Sequence, residues 1–274
     1  MNAETAVIDA IYRYPVKGLS PQRLPRTALS RGATLPHYRL YAIENGPSGF
    51  DPGAPAYMPK TRFLMLMRNE QLASLRTDYD EAAHTVTIRH EGREAARGDL
   101  RTKEGRLEIE AFFRRFMPKD LRGPPKVLSG QNHSFSDVSK KVVSIINLAS
   151  LAELETVAGA PVDPLRFRAN LYVRGWPAWE EFKLIGERLQ IGEATLKVTK
   201  RIVRCAATEA RLMIETTFFD TSEKLWFWPL NTFGGPRNAF GMKRRKKASI
   251  SSRPCLVRRS PRAASRPPCA MLSV

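Results

Sequence analysis

A cysteine preceded by two arginines is the feature of this chain with the clearest chemistry. Cys205 follows a strand-like run in Arg201-Ile202-Val203-Arg204-Cys205, and no other cysteine occurs in the first 254 residues. Neighbouring cations stabilise the thiolate, which is the form of cysteine that attacks electrophiles or binds soft metals. Free cysteine is also often buried as a small apolar side chain, so the local sequence leaves a reactive role and a packing role open.

Further basic and amide side chains lie at predicted turns and strand ends. Lys17 lies in the turn after the first predicted strand, Arg39 lies at the second strand, and Arg168 and Asn170 precede a later one. Each of them alone is most often a solvated surface residue. Together they could cradle an anion, because arginine forks match phosphate oxygens and lysine adds a point charge. The four histidines are too widely scattered to suggest a zinc site.

The pattern of apolar residues predicts many short strands and few helices, which favours a mostly β, barrel-like architecture. Strands are predicted at 6–14, 38–44, 62–67, 72–79, 85–89, 142–146, 170–173 and 188–198. Helical spacing extends over 107–116, where the apolar residues share one face. A second helix is predicted to begin with Ser150 as its cap, because Glu153 follows three residues later.

The composition, 42% hydrophobic and 26% charged, suits a chain that folds around an apolar core. No apolar run approaches the roughly 18 residues that a membrane span needs, and the first residues lack the features of a signal peptide. The three cysteines, at positions 205, 255 and 269, are odd in number and widely spaced, which argues against a disulfide framework. We therefore expect a cytoplasmic location and no contact with a membrane.

Four short segments follow one another along the chain: Tyr-Pro-Val-Lys-Gly at 14–18, His-Ser-Phe-Ser-Asp at 133–137, Arg-Phe-Arg-Ala-Asn at 166–170 and Arg-Ile-Val-Arg-Cys at 201–205. In this order they resemble MOSC domain proteins, more specifically the type with an N-terminal MOSC β-barrel domain. The mitochondrial amidoxime-reducing component belongs to the same superfamily. The resemblance covers roughly residues 5–210 and implies a mainly β fold with some α, a MOSC-type β-barrel core plus the N-terminal β-barrel domain.

The resemblance also implies a molybdenum cofactor, molybdopterin, whose pterin dithiolene carries a terminal phosphate. Cys205 corresponds to the cysteine that ligates molybdenum in relatives, and a soft thiolate suits such a centre. By the same resemblance, the cofactor-binding positions are Lys17, Arg39, Ser139, Arg168, Asn170 and Arg204. The segment around Arg39 departs furthest from the family pattern. Asp137 either orients a basic residue or caps a turn.

The activity that the resemblance implies is that of a molybdenum-dependent oxidoreductase, which reduces N-hydroxylated or N-oxide small molecules by oxygen-atom transfer. The chain has no flavin fingerprint and no cysteine spacing for an iron–sulfur cluster, so we expect an electron-donor protein as partner. Two alternatives stay open. A persulfide on Cys205 would make the protein a sulfur carrier or a cofactor-handling protein. Nucleic-acid binding is expected only if the basic tail mediates it.

The sequence changes character after about residue 210, where it departs from the MOSC pattern. Residues 211–274 hold 13 Lys and Arg against 3 Asp and Glu, and they carry more than half of the net charge of +18. We divide the chain into an N-terminal β domain at 1–122, an incomplete MOSC core at 123–210 and a disordered or aberrant tail at 211–274. A shifted reading frame is favoured over a real basic extension, and the missing closing strands predict low stability and impaired activity.

Overall fold

The computed structural model describes residues 5–202, 247–251 and 256–259. This part of the chain is mainly β with few helices, which confirms the predicted fold class. The longest described helix has 14 residues, and none of the described helices combines the length and the apolar composition that crossing a membrane requires.

The described strands and helices have the following bounds in chain order. The strands are β1 (Thr5–Arg13), β2 (Gln22–Leu24), β3 (Arg26–Ser30), β4 (Tyr41–Glu44), β5 (Arg76–Asp80), β6 (Thr85–His90), β7 (Arg93–Asp99), β8 (Lys126–Ser129), β9 (Ile145–Asn147), β10 (Leu171–Arg174), β11 (Arg188–Ile191), β12 (Ala194–Lys197), β13 (Lys247–Ser251) and β14 (Leu256–Arg259). The helices are α1 (Lys103–Phe116), α2 (Leu148–Ala158) and α3 (Glu180–Lys183). Short 3-10 turns lie at Lys60–Arg62, Glu70–Ser74 and Pro164–Phe167.

The largest sheet among the described residues has the order β12-β11-β14-β1-β10-β9, and β2 also pairs with β1. β1 and β10 are antiparallel, with Ile11 opposite Leu171, whereas β10 and β9 are parallel. In an antiparallel pair the end of one strand lies beside the start of the other. The turn that follows β1 therefore lies next to the segment that precedes β10, and this brings 14–18 and 166–170 together.

A second group of strands surrounds helix α1. β4 pairs with β8, β5, β6 and β7 form an antiparallel meander, and α1 packs against β7 and β8. The helix begins at Thr102, whose hydroxyl oxygen accepts a hydrogen bond from the Gly105 amide, as expected of a cap. It buries Ile109, Phe112 and Phe113 on one side, which confirms the predicted apolar face.

Two large hydrophobic cores follow these two groups of strands. The first contains side chains from β1 to β3, β10 to β12 and β14, with Tyr14 and Leu171 fully buried. The second core consists of side chains from residues 16 to 127 of the chain, and it includes Leu64 and Phe113. The N-terminal strands thus share a core with strands from the C-terminal half, so the packing interleaves the segments on either side of residue 123.

One predicted strand is absent where the sequence places it. The chain at 62–67 leaves the Lys60–Arg62 turn and makes a single antiparallel bridge, from Phe63 to Glu44. Residues 63–66 are buried all the same. A short apolar run shows only that a segment is buried, because its periodicity does not distinguish a strand from another buried conformation.

Helix α2 begins earlier than the sequence predicts. Its cap is Asn147, whose side-chain oxygen accepts a hydrogen bond from the Ala149 amide at 3.2 Å. The predicted cap, Ser150, lies inside the helix and donates instead to Glu181 Oε2 at 2.9 Å. Asparagine and serine cap helices about equally well, so tertiary contacts of Ser150 decide between the two.

Two strands lie in the segment for which the sequence predicts disorder. β14 lies between β1 and β11, where Val257 is opposite both Ala6 and Ile191, and β13 pairs with β3. Val257 is fully buried in the first core. β14 forms at this place because β1 and β11 supply the backbone partners, and the core around Val257 supplies the apolar surface, that the local sequence lacks. The rest of 211–274 lies outside the described residues.

Candidate functional site

Lys17 and Arg39 share the carboxylate of Asp137. The Lys17 ammonium donates to Asp137 Oδ1 at 2.7 Å and to the Phe135 carbonyl oxygen at 2.8 Å. Arg39 Nη1 forms an ion pair with the other carboxylate oxygen, Oδ2. Lys17 and Arg39 are only 3% and 8% exposed, whereas 45% of the Asp137 side chain is exposed. The carboxylate therefore lies at the mouth of a buried pair of cations.

Backbone hydrogen bonds hold the loops that carry these three side chains. The Lys17 N–H donates to the Tyr41 carbonyl oxygen at 2.9 Å, and the Arg39 N–H donates to the Tyr14 carbonyl oxygen at 2.7 Å. The Phe135 N–H donates in turn to the Arg39 carbonyl oxygen at 2.8 Å. The turn after β1, the loop before β4 and the loop after β8 are thus joined into one unit.

Arg168 adds a third cation to this cluster, and although the residue is only half-buried, its Nη1 atom is buried. Its guanidinium lies 4.1 Å from the centre of the Tyr14 ring, and its Nη2 donates to the Leu19 carbonyl oxygen at 2.7 Å. Electrostatic interactions connect it with Arg39 and Asp137. Within the part of the chain that the structure describes, Arg168 Nη1 and Arg39 Nε are buried without a hydrogen-bond partner. Buried donors are rarely left unsatisfied, so these two indicate a ligand with acceptor oxygens.

Both arginines have a left-handed backbone conformation. The φ angle is 47° at Arg39 and 50° at Arg168, a region that residues with a Cβ rarely occupy. Each such residue costs about 1–2 kcal/mol, and residues of this kind cluster at functional sites. Arg168 is held there as the cap of the Pro164–Phe167 turn, where its N–H donates to the Leu165 carbonyl oxygen at 3.0 Å. The fold thus strains its backbone to present both guanidinium groups.

Burial and mutual repulsion change how these groups titrate. Burial, together with the Arg39 guanidinium, lowers the pKa of Lys17 to about 8, although Asp137 acts in the opposite direction. Burial acts to raise the pKa of Asp137, but Arg39 and Lys17 outweigh it and hold that pKa well below its usual range. At neutral pH the cluster therefore contains three cations and one carboxylate. This excess of positive charge suits an anionic ligand.

The structure places the predicted site residues as follows. Three predicted cofactor-binding side chains lie together in the cluster: Lys17, Arg39 and Arg168. Ser139 is exposed on the segment that follows Asp137. The predicted positions Arg204 and Cys205 lie outside the described residues, so their part in the site stays a prediction.

Asn170 lies beside the cluster, and the fold uses its side chain. Its amide nitrogen donates to the Tyr12 carbonyl oxygen at 3.0 Å, and its Oδ1 accepts from the Ser144 backbone N–H at 3.2 Å. The Ser144 hydroxyl also donates to Oδ1 at 3.1 Å. These bonds fix the start of β10 against the end of β1, and so they support the two segments that carry Lys17 and Arg168.

Two side chains have roles that the sequence leaves open or does not show. Asp137 is expected either to orient a basic residue or to cap a turn, and in the structure it orients two basic residues. Tyr14 has no role assigned from the sequence, yet it contacts both arginines. Its position three residues before Lys17, in the same short motif, is the only signal that could have identified it.

Two of the histidines lie together outside the cation cluster. The rings of His37 and His84 are 4.8 Å apart, and their Nδ1 atoms lie 2.7 Å from the hydroxyl groups of Tyr79 and Tyr41. Among the residues that the structure describes, no group of three or more His, Cys, Asp or Glu is arranged to hold a metal ion. The pair packs the loop before β4 against the hairpin of β5 and β6.

The described chain also encloses a largely apolar cavity of about 230 Å³. Its wall includes residues of the two edge strands of the large sheet, β9 and β12, with Trp176, Trp179 and Phe182. None of the side chains of the cation cluster lines it. Ile202, the last described residue before the segment of Cys205, belongs to its wall. The described structure thus offers a polar cluster and an apolar cavity as two distinct features.

Comparisons with known proteins identify the family. Residues 5–117 match the model of the MOSC N-terminal beta barrel domain, and residues 129–234 match the model of the MOSC domain. The chain therefore belongs to the MOSC domain proteins that carry this N-terminal domain. The MOSC match extends beyond residue 210, the point at which the sequence suggests a departure from the family.

No curated protein sequence is significantly similar to the chain. Among solved structures, the YuaD protein from Bacillus subtilis is similar at 10% sequence identity, over 92% of this chain and 94% of that chain, with a TM-score of 0.37. MOSC domains are associated with molybdenum cofactor sulfurases and with oxidoreductases, which places this chain in a molybdenum cofactor-binding type of family.

Proposed function

We propose that this protein binds a molybdenum cofactor, with the cofactor's phosphate at Lys17, Arg39 and Arg168 and with Cys205 as a ligand of the metal. The observation that carries the proposal is Arg168 Nη1, a buried cationic donor without a partner in the described chain. A guanidinium fork suits the oxygens of a phosphate. Membership of the MOSC family supports molybdopterin as the phosphate-bearing group.

The charges and donors of the cluster fit such a group. A phosphate monoester carries about −1.5 to −2 charges at neutral pH, which balances three cations set against one carboxylate. Arg168 Nη1 and Arg39 Nε supply two donors that the chain itself leaves unused. Asp137 favours the charged form of Lys17 and anchors Arg39, so the cations are oriented before the ligand arrives.

The bound metal would supply oxygen-atom transfer, which corresponds to the reduction of N-hydroxylated or N-oxide small molecules. The residues of this chain bind and orient the cofactor, and the thiolate of Cys205 is the soft donor that such a metal prefers. Since the sequence has no fingerprint for a flavin or an iron–sulfur cluster, an electron-donor protein would supply the electrons.

The test measures molybdenum and pterin in the full chain after anaerobic purification from molybdate-supplied cells. We expect one molybdenum and one pterin per chain, molybdenum lost in Cys205→Ala, and pterin reduced in Arg168→Met. Cys255→Ala is the matched control, because Cys255 lies outside the four family segments. A wild-type chain that carries neither molybdenum nor pterin would contradict the proposal.

The same preparations test the alternative of a sulfur carrier. Arg201 and Arg204 precede Cys205 and favour its thiolate, which is the form that accepts a persulfide sulfur. Cyanide-releasable sulfur in the wild-type chain, absent from Cys205→Ala and accompanied by no molybdenum, would replace the oxidoreductase proposal by this one.

A further inference from the structure

We propose that Tyr14 is a positioning residue that orients both arginines of the cation cluster toward a bound phosphate. The inference rests on the proposed function and adds a residue to it. Tyr14 is fully buried, and it contacts both arginines: one face of its ring lies against the Arg168 guanidinium, and its carbonyl oxygen accepts a hydrogen bond from the Arg39 N–H. It acts on a ligand only through Arg39 and Arg168.

The contact with Arg168 is a stacking contact. The guanidinium carbon lies 4.1 Å from the centre of the Tyr14 ring, and Nη2 is tied to the Leu19 carbonyl oxygen at 2.7 Å. A guanidinium that stacks on a ring and donates one hydrogen bond from a fixed nitrogen cannot rotate, so the directions of its other N–H donors are fixed as well. Nη1 is such a donor, and it is the one without a partner in the described chain.

Tyr14 contacts Arg39 in two ways, by a backbone hydrogen bond and through the ring of Tyr38. The Arg39 N–H donates to the Tyr14 carbonyl oxygen at 2.7 Å, which holds Arg39 in its left-handed conformation. The Tyr38 ring meets the Tyr14 ring edge-on, with centroids 6.4 Å apart and an interplanar angle of 83°. The Arg39 guanidinium lies 5.3 Å from the Tyr38 ring centre. The two cations are thus each placed against one ring of a packed tyrosine pair.

The position of Tyr14 in the chain makes this arrangement rigid. Tyr14 follows directly on β1 and precedes Pro15, and a residue before proline is restricted to extended conformations. Its hydroxyl lies 3.4 Å from the Ala169 carbonyl oxygen, which is a long hydrogen bond. The hydroxyl also interacts with the Tyr172 side chain, so it contacts neither guanidinium, and the ring and the backbone of Tyr14 position the arginines.

The test measures the affinity of the full chain for inorganic phosphate by calorimetry at constant ionic strength, with the chain purified free of cofactor from cells that cannot make molybdopterin. We expect Tyr14→Leu to bind phosphate about tenfold more weakly, the effect of roughly one desolvated cation–π contact. Tyr14→Phe keeps the ring, so it is expected to restore affinity to within about twofold of the wild-type value. A chain that also carries Arg168→Met should show less than about a twofold further effect of Tyr14→Leu.

Arg168→Lys provides a second measurement that does not alter the core. It keeps the charge but cannot stack a plane on the ring, so phosphate affinity should fall several-fold. Wild-type affinity in Arg168→Lys, or an equal effect of Tyr14→Leu with and without Arg168, would overturn the role of Tyr14 alone. A wild-type chain without phosphate affinity, or unchanged affinity in Arg168→Met, would overturn the proposed function as well.

Discussion

The Lys17 ammonium and the Asp137 carboxylate lie 2.7 Å apart although 120 positions separate them in the chain. Lys17 follows the first strand of the large sheet, whereas Asp137 lies on the loop after β8, a strand of the second group. The pair therefore ties the two halves of the structure together at the candidate site, and Arg39 shares the same carboxylate.

Removal of the Asp137 charge should destabilise the fold. Asp137→Asn leaves two buried cations without a counter-ion, and we expect the free energy of unfolding to fall by about 1–3 kcal/mol in urea titrations. The effect is smaller than for a fully buried pair because 45% of the Asp137 side chain is exposed. Asp78→Asn, in an exposed pair with Arg89, is the control and should change stability by less than about 0.5 kcal/mol.

The Asp137 contribution should also depend on pH. The pKa of Asp137 is lower in the folded chain than its value of about 3.9 in an unfolded chain, so the unfolded state binds the proton first. The stabilisation is thus complete above that unfolded value and is lost as the pH falls through the folded pKa. We expect the stability difference between wild type and Asp137→Asn to be full near pH 6 and to shrink below about pH 4. A difference that stays constant between these values would contradict the assigned ion pairs.

Phosphate affinity should fall at alkaline pH. The pKa of Lys17 is about 8 in the folded chain, below its unfolded value, so folded Lys17 loses its proton first as the pH rises. Inorganic phosphate gains rather than loses negative charge over this range, so only the loss of the Lys17 charge can weaken binding, and the affinity should fall about five- to tenfold between roughly pH 7.5 and 9.5. Lys17→Arg stays charged and should remove this dependence. Equal pH profiles for the two chains would show that Lys17 does not contact the anion.

The same shift predicts the direction of a stability change. Between about pH 8 and 10.4 the unfolded chain holds the Lys17 proton and the folded chain does not, so the Lys17 contribution to stability rises with pH. Urea titrations of wild type and Lys17→Met should diverge in this window, with the wild-type chain gaining relative stability. A divergence of the opposite sign would mean that ion pairing with Asp137 outweighs the burial of Lys17.

The strand β14 should be essential, although it lies in the segment that was expected to be a tail. Val257→Ala removes a fully buried side chain between β1 and β11 and should cost about 2 kcal/mol of stability. Leu256→Ala, at the adjacent position that is 41% exposed, should cost less than about 1 kcal/mol. Urea unfolding of the two variants measures the difference, and equal stabilities would remove β14 from the core.

This position of β14 changes how nucleic-acid binding through the tail must be tested. A chain that ends at residue 210 lacks β14 and should lose cooperative unfolding, whereas a chain that ends at residue 259 retains the strand and should keep it. Neutral substitutions of Lys243, Arg244, Arg245 and Lys246 remove the charge and leave β14 in place. Salt-sensitive DNA binding that survives these substitutions would exclude this basic run as the binding element.

Strand β7 and helix α1 approach each other through two glycines. A Cβ on Gly98 would overlap the Gly105 carbonyl oxygen, and a Cβ on Gly105 would overlap the backbone of Asp99. Because backbone atoms cannot move aside like a flexible side chain, Gly98→Ala should destabilise the protein by at least about 3 kcal/mol. Gly53→Ala, in an exposed loop, is the matched control, with an expected change within about 0.5 kcal/mol. Equal thermal midpoints for the two variants would contradict this close packing.

Local patterns in the sequence were sufficient for the elements that carry their own signal. The apolar pattern at 85–89 predicts β6, the helical spacing of 107–116 predicts most of α1, and the strand predicted at 188–198 is present as the pair β11 and β12. Local patterns did not predict the conformation of segments that depend on neighbours in the tertiary structure. The apolar run at 62–67 is buried without forming a strand, and the polar surroundings of Val257 concealed β14.

The sequence by itself identified a set of cations in four segments characteristic of one family, and it predicts that Cys205, which follows two arginines, joins them. Only the tertiary structure decided which of these groups meet. Asp137 pairs with Lys17 and Arg39. The guanidinium of Arg168 stacks on the Tyr14 ring. The side chain of Asn170 forms hydrogen bonds with the backbone. The reason is physical: a local pattern reports burial and conformation, whereas contacts between positions distant in the chain depend on strand pairing and on packing between cores.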